Sequence, residues 1–260
     1  MTTVLNCSIH DAVAQVVLQR PQVRNAFNET RIAELHRVFV QLNQDPQVRV
    51  VVLAAEGPAF CAGADLNWMR AMAEYSYEQN LADARGLAAM LHALDTCSKP
   101  VIARVQGDAY AGGIGLLAVC DLVVAVQSAQ FCLSEVKLGL VPATIAPYVV
   151  RAIGLRQARR YALTAEKWDA AEAFRMGLVH DICTPEELDD KVHEWIQAVL
   201  NNSPQAVAVT KQLLHKVADS PLDERLREIT AEHIAQARGS ADGQAGVQAF
   251  LNKQKPGWVR

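Results

Sequence analysis

Three segments of the 260-residue chain carry residue types that a plain core does not need. In Gly57-Pro58-Ala59-Phe60-Cys61-Ala62-Gly63-Ala64-Asp65-Leu66, side chains shrink to glycine and alanine where a strand empties into a turn. A turn so stripped lets a ligand or another segment approach the backbone, and its own amide hydrogens stay open to an acceptor. The second, Gln106-Gly107-Asp108-Ala109-Tyr110-Ala111-Gly112-Gly113-Ile114-Gly115, follows a β-branched run and opens a helical pattern. Amides at a helix start lack internal partners and attract negative charge. Either segment alone also reads as a tight strand-to-helix turn in which glycine avoids a clash; two in one chain favour the chemical reading. In the third, residues 131–142, Glu135 is the single acid among apolar neighbours. Apolar surroundings disfavour the carboxylate and move its proton affinity toward that of a general base. The alternative is a solvated rim in which Glu135 and Lys137 face water.

Other chemistry finds less support. Gly113-Ile114-Gly115-Leu116-Leu117-Ala118 fits a dinucleotide fingerprint, with Glu135 where a ribose-binding acid would fall. Residues 106–111 stand between the strand and those glycines, however, whereas the fingerprint glycines follow the strand directly. Phosphate-loop, G-x-S-x-G and H-E-x-x-H patterns are absent from the sequence. Six cysteines lie scattered without a C-x-x-C pair, so reduced, mostly buried thiols are expected and no metal site.

The elements that must hold these segments read as an α/β core followed by a helical appendage. Residues 13–18, 48–53, 101–105, 121–126 and 131–133 read as strands. Asn28 is a candidate N-cap for a helix with Ile32, Leu35, Val38, Phe39 and Leu42 on one face. Leu81, Ala84, Leu87, Leu91 and Leu94 mark another, which stops before Lys99-Pro100. Thr184-Pro185-Glu186-Glu187 and Ser220-Pro221-Leu222-Asp223 each offer a capping hydroxyl, a proline and a carboxylate at a helix start. Leu188, Val192, Trp195 and Val199 would form the stripe of the first helix, and Leu222, Leu226, Ile229 and Ile234 that of the second. Ser203-Pro204 and residues 245–253 predict two more helices.

A chain of this size, 51% hydrophobic and 20% charged, buries a core without disulfides or metal. Its net charge of −3, from 25 basic and 28 acidic residues, leaves no excess to neutralise a phosphate backbone, so no nucleic-acid partner is expected. The first ten residues lack a basic start and an apolar run, and no stretch has the roughly 18 apolar residues of a membrane span. A cytoplasmic protein without a membrane partner is expected.

At these segments the sequence resembles the enoyl-CoA hydratase/isomerase, or crotonase, superfamily, nearly end to end. The matching pieces are Leu18-Gln19-Arg20-Pro21 with Asn25-Ala26, Phe60-Cys61-Ala62-Gly63-Ala64-Asp65-Leu66, and Lys99-Pro100-Val101-Ile102-Ala103 leading to Ala111-Gly112-Gly113. They continue with Cys120-Asp121, Phe131, Ser134-Glu135, Leu138-Gly139-Leu140-Val141-Pro142, Gly177-Leu178-Val179 and Phe250-Leu251-Asn252-Lys253. The resemblance implies an α/β fold: a crotonase ββα spiral core carrying the active site over residues 1–200, and a C-terminal helical trimerisation region over 201–260. It implies trimers or dimers of trimers, and acyl-CoA thioesters as substrates. No cofactor is implied, coenzyme A being part of the substrate.

Carried over by position, the backbone N–H groups of Ala64 and Gly112 bind the thioester oxygen and Glu135 moves the proton. Arg24 is a candidate partner for the CoA phosphates; Ala62, Gly63, Asp65 and Leu66 would line the acyl or pantetheine channel, with Gly113 and Gly115 on the second turn. Phe250 and Lys253 would reach the adenine site of a neighbouring subunit. Well-known hydratases of this superfamily hold the attacking water with two glutamates; here Gly115 falls at the first position and only Glu135 remains. In that respect the site is similar to the Δ3-Δ2 enoyl-CoA isomerases. Residues 107–116 and 134–153, in turn, are similar to bacterial hydratases related to methylglutaconyl-CoA and isohexenylglutaconyl-CoA hydratase. The expectation is a hydratase that adds water across a 2-enoyl-CoA, with methylglutaconyl-type substrates favoured. The alternatives are a single-glutamate isomerase and a non-catalytic acyl-CoA- or RNA-binding homologue.

Overall fold

After an opening hairpin, short strands recur in pairs along the chain, and the members of each later pair join different sheets. The computed structural model describes residues 5–218 and 220–259. The chain opens with β1 (Leu5–His10) and β2 (Val13–Leu18), then helix α1 (Glu29–Gln44), strands β3 (Val50–Ala55) and β4 (Ala59–Cys61), and helices α2 (Leu66–Ala73) and α3 (Tyr77–Asp95). Next come β5 (Val101–Val105), β6 (Asp108–Tyr110), α4 (Gly112–Ala118), β7 (Leu122–Val126), β8 (Gln130–Cys132) and α5 (Ala146–Thr164). Strand β9 (Trp168–Asp169), helix α6 (Ala170–Met176) and strand β10 (Asp181–Cys183) close the core. Four helices follow: α7 (Leu188–Leu200), α8 (Pro204–Ala218), α9 (Glu224–Gly239) and α10 (Ala241–Leu251).

The six-stranded sheet runs β1-β2-β3-β5-β7-β10 and the four-stranded sheet β4-β6-β8-β9. Each step β3–β4, β5–β6 and β7–β8 therefore crosses from the first sheet to the second before a helix returns the chain, which is the ββα spiral the resemblance implies. The larger sheet is parallel apart from β1. Its central strands are buried at all but a few positions, Val51, Leu53, Ile102, Ala103, Val123 and Val124 among the buried ones. Such β-branched runs without alternation suit a parallel sheet covered on both faces.

Asn28 caps α1 by accepting from the Arg31 amide, and Ile32, Leu35, Phe39 and Leu42 are buried, as the periodicity predicts. Several boundaries differ. Strand β3 starts two residues later than predicted, because Val13 pairs with Val50 and the Arg49 amide is spent on the turn carbonyl of Ala12. Helix α7 starts at Leu188: residues 184–187 stay a turn in which the Glu187 carboxylate accepts from the Thr184 amide. Helix α9 starts at Glu224, because Asp223 rather than Ser220 accepts from the Leu226 amide. Helix α10 starts at Ala241 on a Ser240 cap, four residues ahead of the predicted start. On the stripe read for α9 only Leu226 is buried, while Leu222 is 90% and Ile234 51% exposed.

The last helices are tied to the core by buried polar contacts. Lys211 of α8 pairs with Asp121 at 2.7 Å, and the Arg49 guanidinium donates to the carbonyls of Leu200 and Trp258. Among the described residues no helix is long and apolar enough to cross a membrane.

Candidate active site

The first small-residue turn is held by the segment that follows β2. A 3-10 turn, Pro21–Val23, turns the chain so that the Ala62 amide donates to the Arg24 carbonyl at 3.0 Å. The Phe27 amide donates to the Gly63 carbonyl at 2.6 Å, and the Asp65 amide donates to the Phe27 carbonyl at 2.8 Å. Phe27 and Ala64 thus form a parallel bridge in which the residues flanking Ala64 make both bonds. In that pattern the N–H of Ala64 faces away from Phe27. Gly63 has φ +88°, and a Cβ there would lie 3.1 Å from that of Ala111, so the first turn rests directly on the second.

The second turn is as close-packed. Ala111 adopts φ 48°, a conformation that L-residues hold only where their surroundings enforce it, and its amide donates to the Cys132 carbonyl at 2.9 Å. Helix α4 then starts at Gly112 without a side-chain cap. A Cβ on Gly112 would stand 2.7 Å from Cε2 of Phe27, and one on Gly113 2.6 Å from the Cys61 carbonyl oxygen. Among the described residues no acceptor takes the N–H of Ala64 or of Gly112.

Glu135 follows a strand that pairs with the one leading into the second turn. Strand β8 runs parallel to β6 with Tyr110 opposite Cys132, so the chains leaving both strands emerge side by side. One continues into Gly112, the other into a 3-10 turn, Glu135–Leu138. Oε2 of Glu135 is buried and has no hydrogen-bond partner among the described residues. Burial pushes its carboxyl above the ordinary value of 4.5. That removes the solvated-rim alternative, since Lys137 is exposed while this oxygen is not.

The other predicted residues fall into distinct settings. Ala62 is half-buried, Leu66 is 69% exposed, and Arg24 is exposed beside the first turn. Asp65 is buried and structural: it caps α2 by accepting from the Asn67 amide and pairs with Arg20 at 2.6 Å. Burial alone would raise its carboxyl, but the Asn67 amide and the Arg20 guanidinium outweigh this and hold it below the usual range. Gly113 lies under Cys61, and Gly115 is buried beneath Ile145. Phe250, 82% exposed, and Lys253, also exposed, lie at the end of α10, which packs on α8 and α9 rather than on the two turns.

Sequence reasoning missed three participants. Phe27 braces both turns, and Ile145 covers Gly115. Asn25 is fully buried and donates to the carbonyls of Glu56 and Ala59 while accepting from the Arg20 amide. Asn25 and Ile145 stood within family-like stretches; nothing local marked Phe27. Chemically, two amides without internal acceptors beside a buried, proton-seeking carboxylate can hold a developing oxyanion and move a proton next to it. Among the described residues no group of three His, Cys, Asp or Glu side chains is placed to hold a metal ion.

Comparison with known proteins agrees with this geometry. Residues 8–260 match the family described as enoyl-CoA hydratase/isomerase. The chain is 36% identical over 242 residues to an enoyl-CoA hydratase of Alternaria alternata, covering 91% of this chain and 77% of that one. It is 30% identical to the carnitinyl-CoA dehydratase of Citrobacter koseri, with 99% of each chain covered. The crystal structure of an enoyl-CoA hydratase from Shewanella pealeana superposes with a TM-score of 0.96 at 46% identity, covering 98% of this chain and 96% of the other.

Proposed function

The chain belongs to the enoyl-CoA hydratase/isomerase family, and on that premise we propose that it adds water across the double bond of a 2-enoyl-CoA thioester. The observation that carries this reading is the buried, unpartnered Oε2 of Glu135 beside two turns whose Ala64 and Gly112 amides lack internal acceptors. Glu135 takes a proton from water as the hydroxide oxygen bonds to Cβ. The π electrons move to the thioester oxygen, and the two amides hold the resulting enolate. The protonated Glu135 then returns a proton to Cα, so that H and OH have both been added and the carboxylate is restored. Preorganised amides favour the enolate over the neutral carbonyl, and a single such donor is worth on the order of 3 kcal/mol in comparable sites.

The likeness of residues 107–116 and 134–153 to methylglutaconyl-type hydratases supports a branched, carboxylate-bearing acyl group. The exposed Arg24 beside the first turn supports its pairing with CoA phosphates. For residues 201–260 we propose the role of assembling a homotrimer or dimer of trimers. Exposed Leu138, Leu140 and Val141 beyond Glu135, and Phe250 and Leu251 on α10, support it. In that assembly Phe250 and Lys253 serve a neighbouring copy's adenine site.

Gly115 favours one second reading, an isomerase in which Glu135 alone carries a proton from C2 to C4 of a 3-enoyl-CoA. Absorbance of the conjugated enoyl thioester separates the two. Loss with crotonyl-CoA and with 3-methylglutaconyl-CoA supports hydration, whereas no loss with either and a gain from 3-enoyl-CoA assigns the isomerase.

A further inference from the structure

Gly112 and Gly115 are one turn apart on α4 and share a face of it. Phe27 covers the first and Ile145 the second. A Cβ on Gly115 would lie 2.3 Å from Cγ2 and 2.9 Å from Cβ of Ile145, with Leu91 Cδ2 behind at 3.7 Å. Ile145 therefore occupies the space that a side chain at position 115 would take. It cannot yield easily: the residue precedes α5, its carbonyl accepts from the Val149 amide, and it is 2% exposed. Its β-branched side chain is also stiff about χ1.

Ile145 also lines an apolar groove of about 250 Å³, shared with Leu133, Val149, Ala158 and Leu163. One residue thus touches both the Gly115 position of α4 and a ready-made apolar space. We infer that Ile145 is a specificity-determining residue: it walls the acyl group beyond the carbonyl off from that groove and limits the bulk the enzyme accepts there. This rests on the thioester oxygen lying at the Gly112 amide, as proposed above. The rigid aliphatic wall also explains why position 115 carries no side chain.

Two measurements test this. The first is the ratio of kcat/KM for 2-octenoyl-CoA to that for crotonyl-CoA. Ile145→Ala is expected to raise the ratio by roughly tenfold or more, since one methylene in a hydrophobic pocket discriminates about 10–200-fold, and Ile145→Val by less. An equal change for both substrates would overturn the inference. The second is a melting-temperature cycle of Gly115→Ala, Ile145→Ala and the double variant. Alanine is the better helix former, so relieving the contact should reverse its sign. Gly115→Ala is expected to lower Tm in the wild-type background and to leave it unchanged or raise it beside Ile145→Ala. Additive shifts would overturn the packing claim. Should Ile145→Ala fail to fold, Ile145→Leu, which has no Cγ2, carries the cycle and Ile145→Val the kinetic ratio. The cycle needs no substrate, so it stays decisive if wild-type enzyme hydrates nothing, an outcome that counts against the hydratase reading alone.

Discussion

Phe27 joins the two turns of the site by two different means: its main chain bonds on either side of Ala64, and its ring lies against Gly112, with Cε2 2.7 Å from where a Cβ would be. Residues 64 and 112 belong to separate crossings between the sheets, and one buried residue braces both turns.

Phe27 is therefore expected to act as a positioning residue. Phe27→Leu keeps the main-chain bridge but withdraws the ring from Gly112. Under the proposed reaction kcat should fall about tenfold to a hundredfold with KM little changed, since misplacing a catalytic group by about 1 Å costs this much. Steady-state kinetics beside a thermal melt checks it; a loss confined to KM would place the ring in ground-state binding instead.

Glu135→Gln tests the proton carrier. Turnover is expected to drop by roughly 10²–10⁴. Burial disfavours the carboxylate in the fold, so the variant should melt no lower than wild type at pH 8. Full hydration activity in this variant would assign the proton transfer to another group.

The pH profile carries a sign of its own. Glu135 must be ionised to accept a proton, and its folded value lies above the ordinary 4.5. The rate should therefore fall as pH drops through that raised value, giving an acid limb in kcat/KM displaced upward from an exposed glutamate. Stability runs the other way: keeping this carboxyl protonated favours the folded state, and that advantage fades as pH rises through the same range. The limb should vanish in the residual activity of Glu135→Gln.

Asp65 is expected to show in stability. Asp65→Ala removes the α2 cap, worth about 1 kcal/mol, and leaves the guanidinium of Arg20 without its partner. A total loss of about 3 kcal/mol is expected, as for breaking a largely buried pair. The Asp65 carboxyl lies below its ordinary 3.8 in the fold, so its contribution is fully present above that value and lost as pH falls through the lowered one. Urea midpoints at pH 7 and pH 3 should converge between wild type and variant as pH drops.

Local sequence was enough where the physics is local. Strands β2 and β5 match the predicted ranges because an apolar alternation or a short apolar run declares itself within five or six positions. Asn28 and Ser203 were recognisable caps because the amides they accept from lie three residues ahead. The small-residue turns and the lone acid Glu135 were equally visible as composition. Strands β4, β6 and β9, of two or three residues, were not, because nothing so short carries a period and they form only by pairing with segments far along the chain. Asp65 read as a channel residue because its distinguishing partner, Arg20, lies 45 positions away.

The sequence by itself determined that two amide-exposing turns and one carboxylate in apolar company exist, since each depends on residue types side by side. Only the tertiary structure decided how the segments that carry them pack. The parallel register of β6 and β8 sets the chains that lead to Gly112 and Glu135 side by side, the Phe27 ring fits against Gly112, and Ile145 seals Gly115, each a match between segments 23 to 85 residues apart. Such matches arise from steric complementarity between separate elements, which leaves no periodic trace in either one.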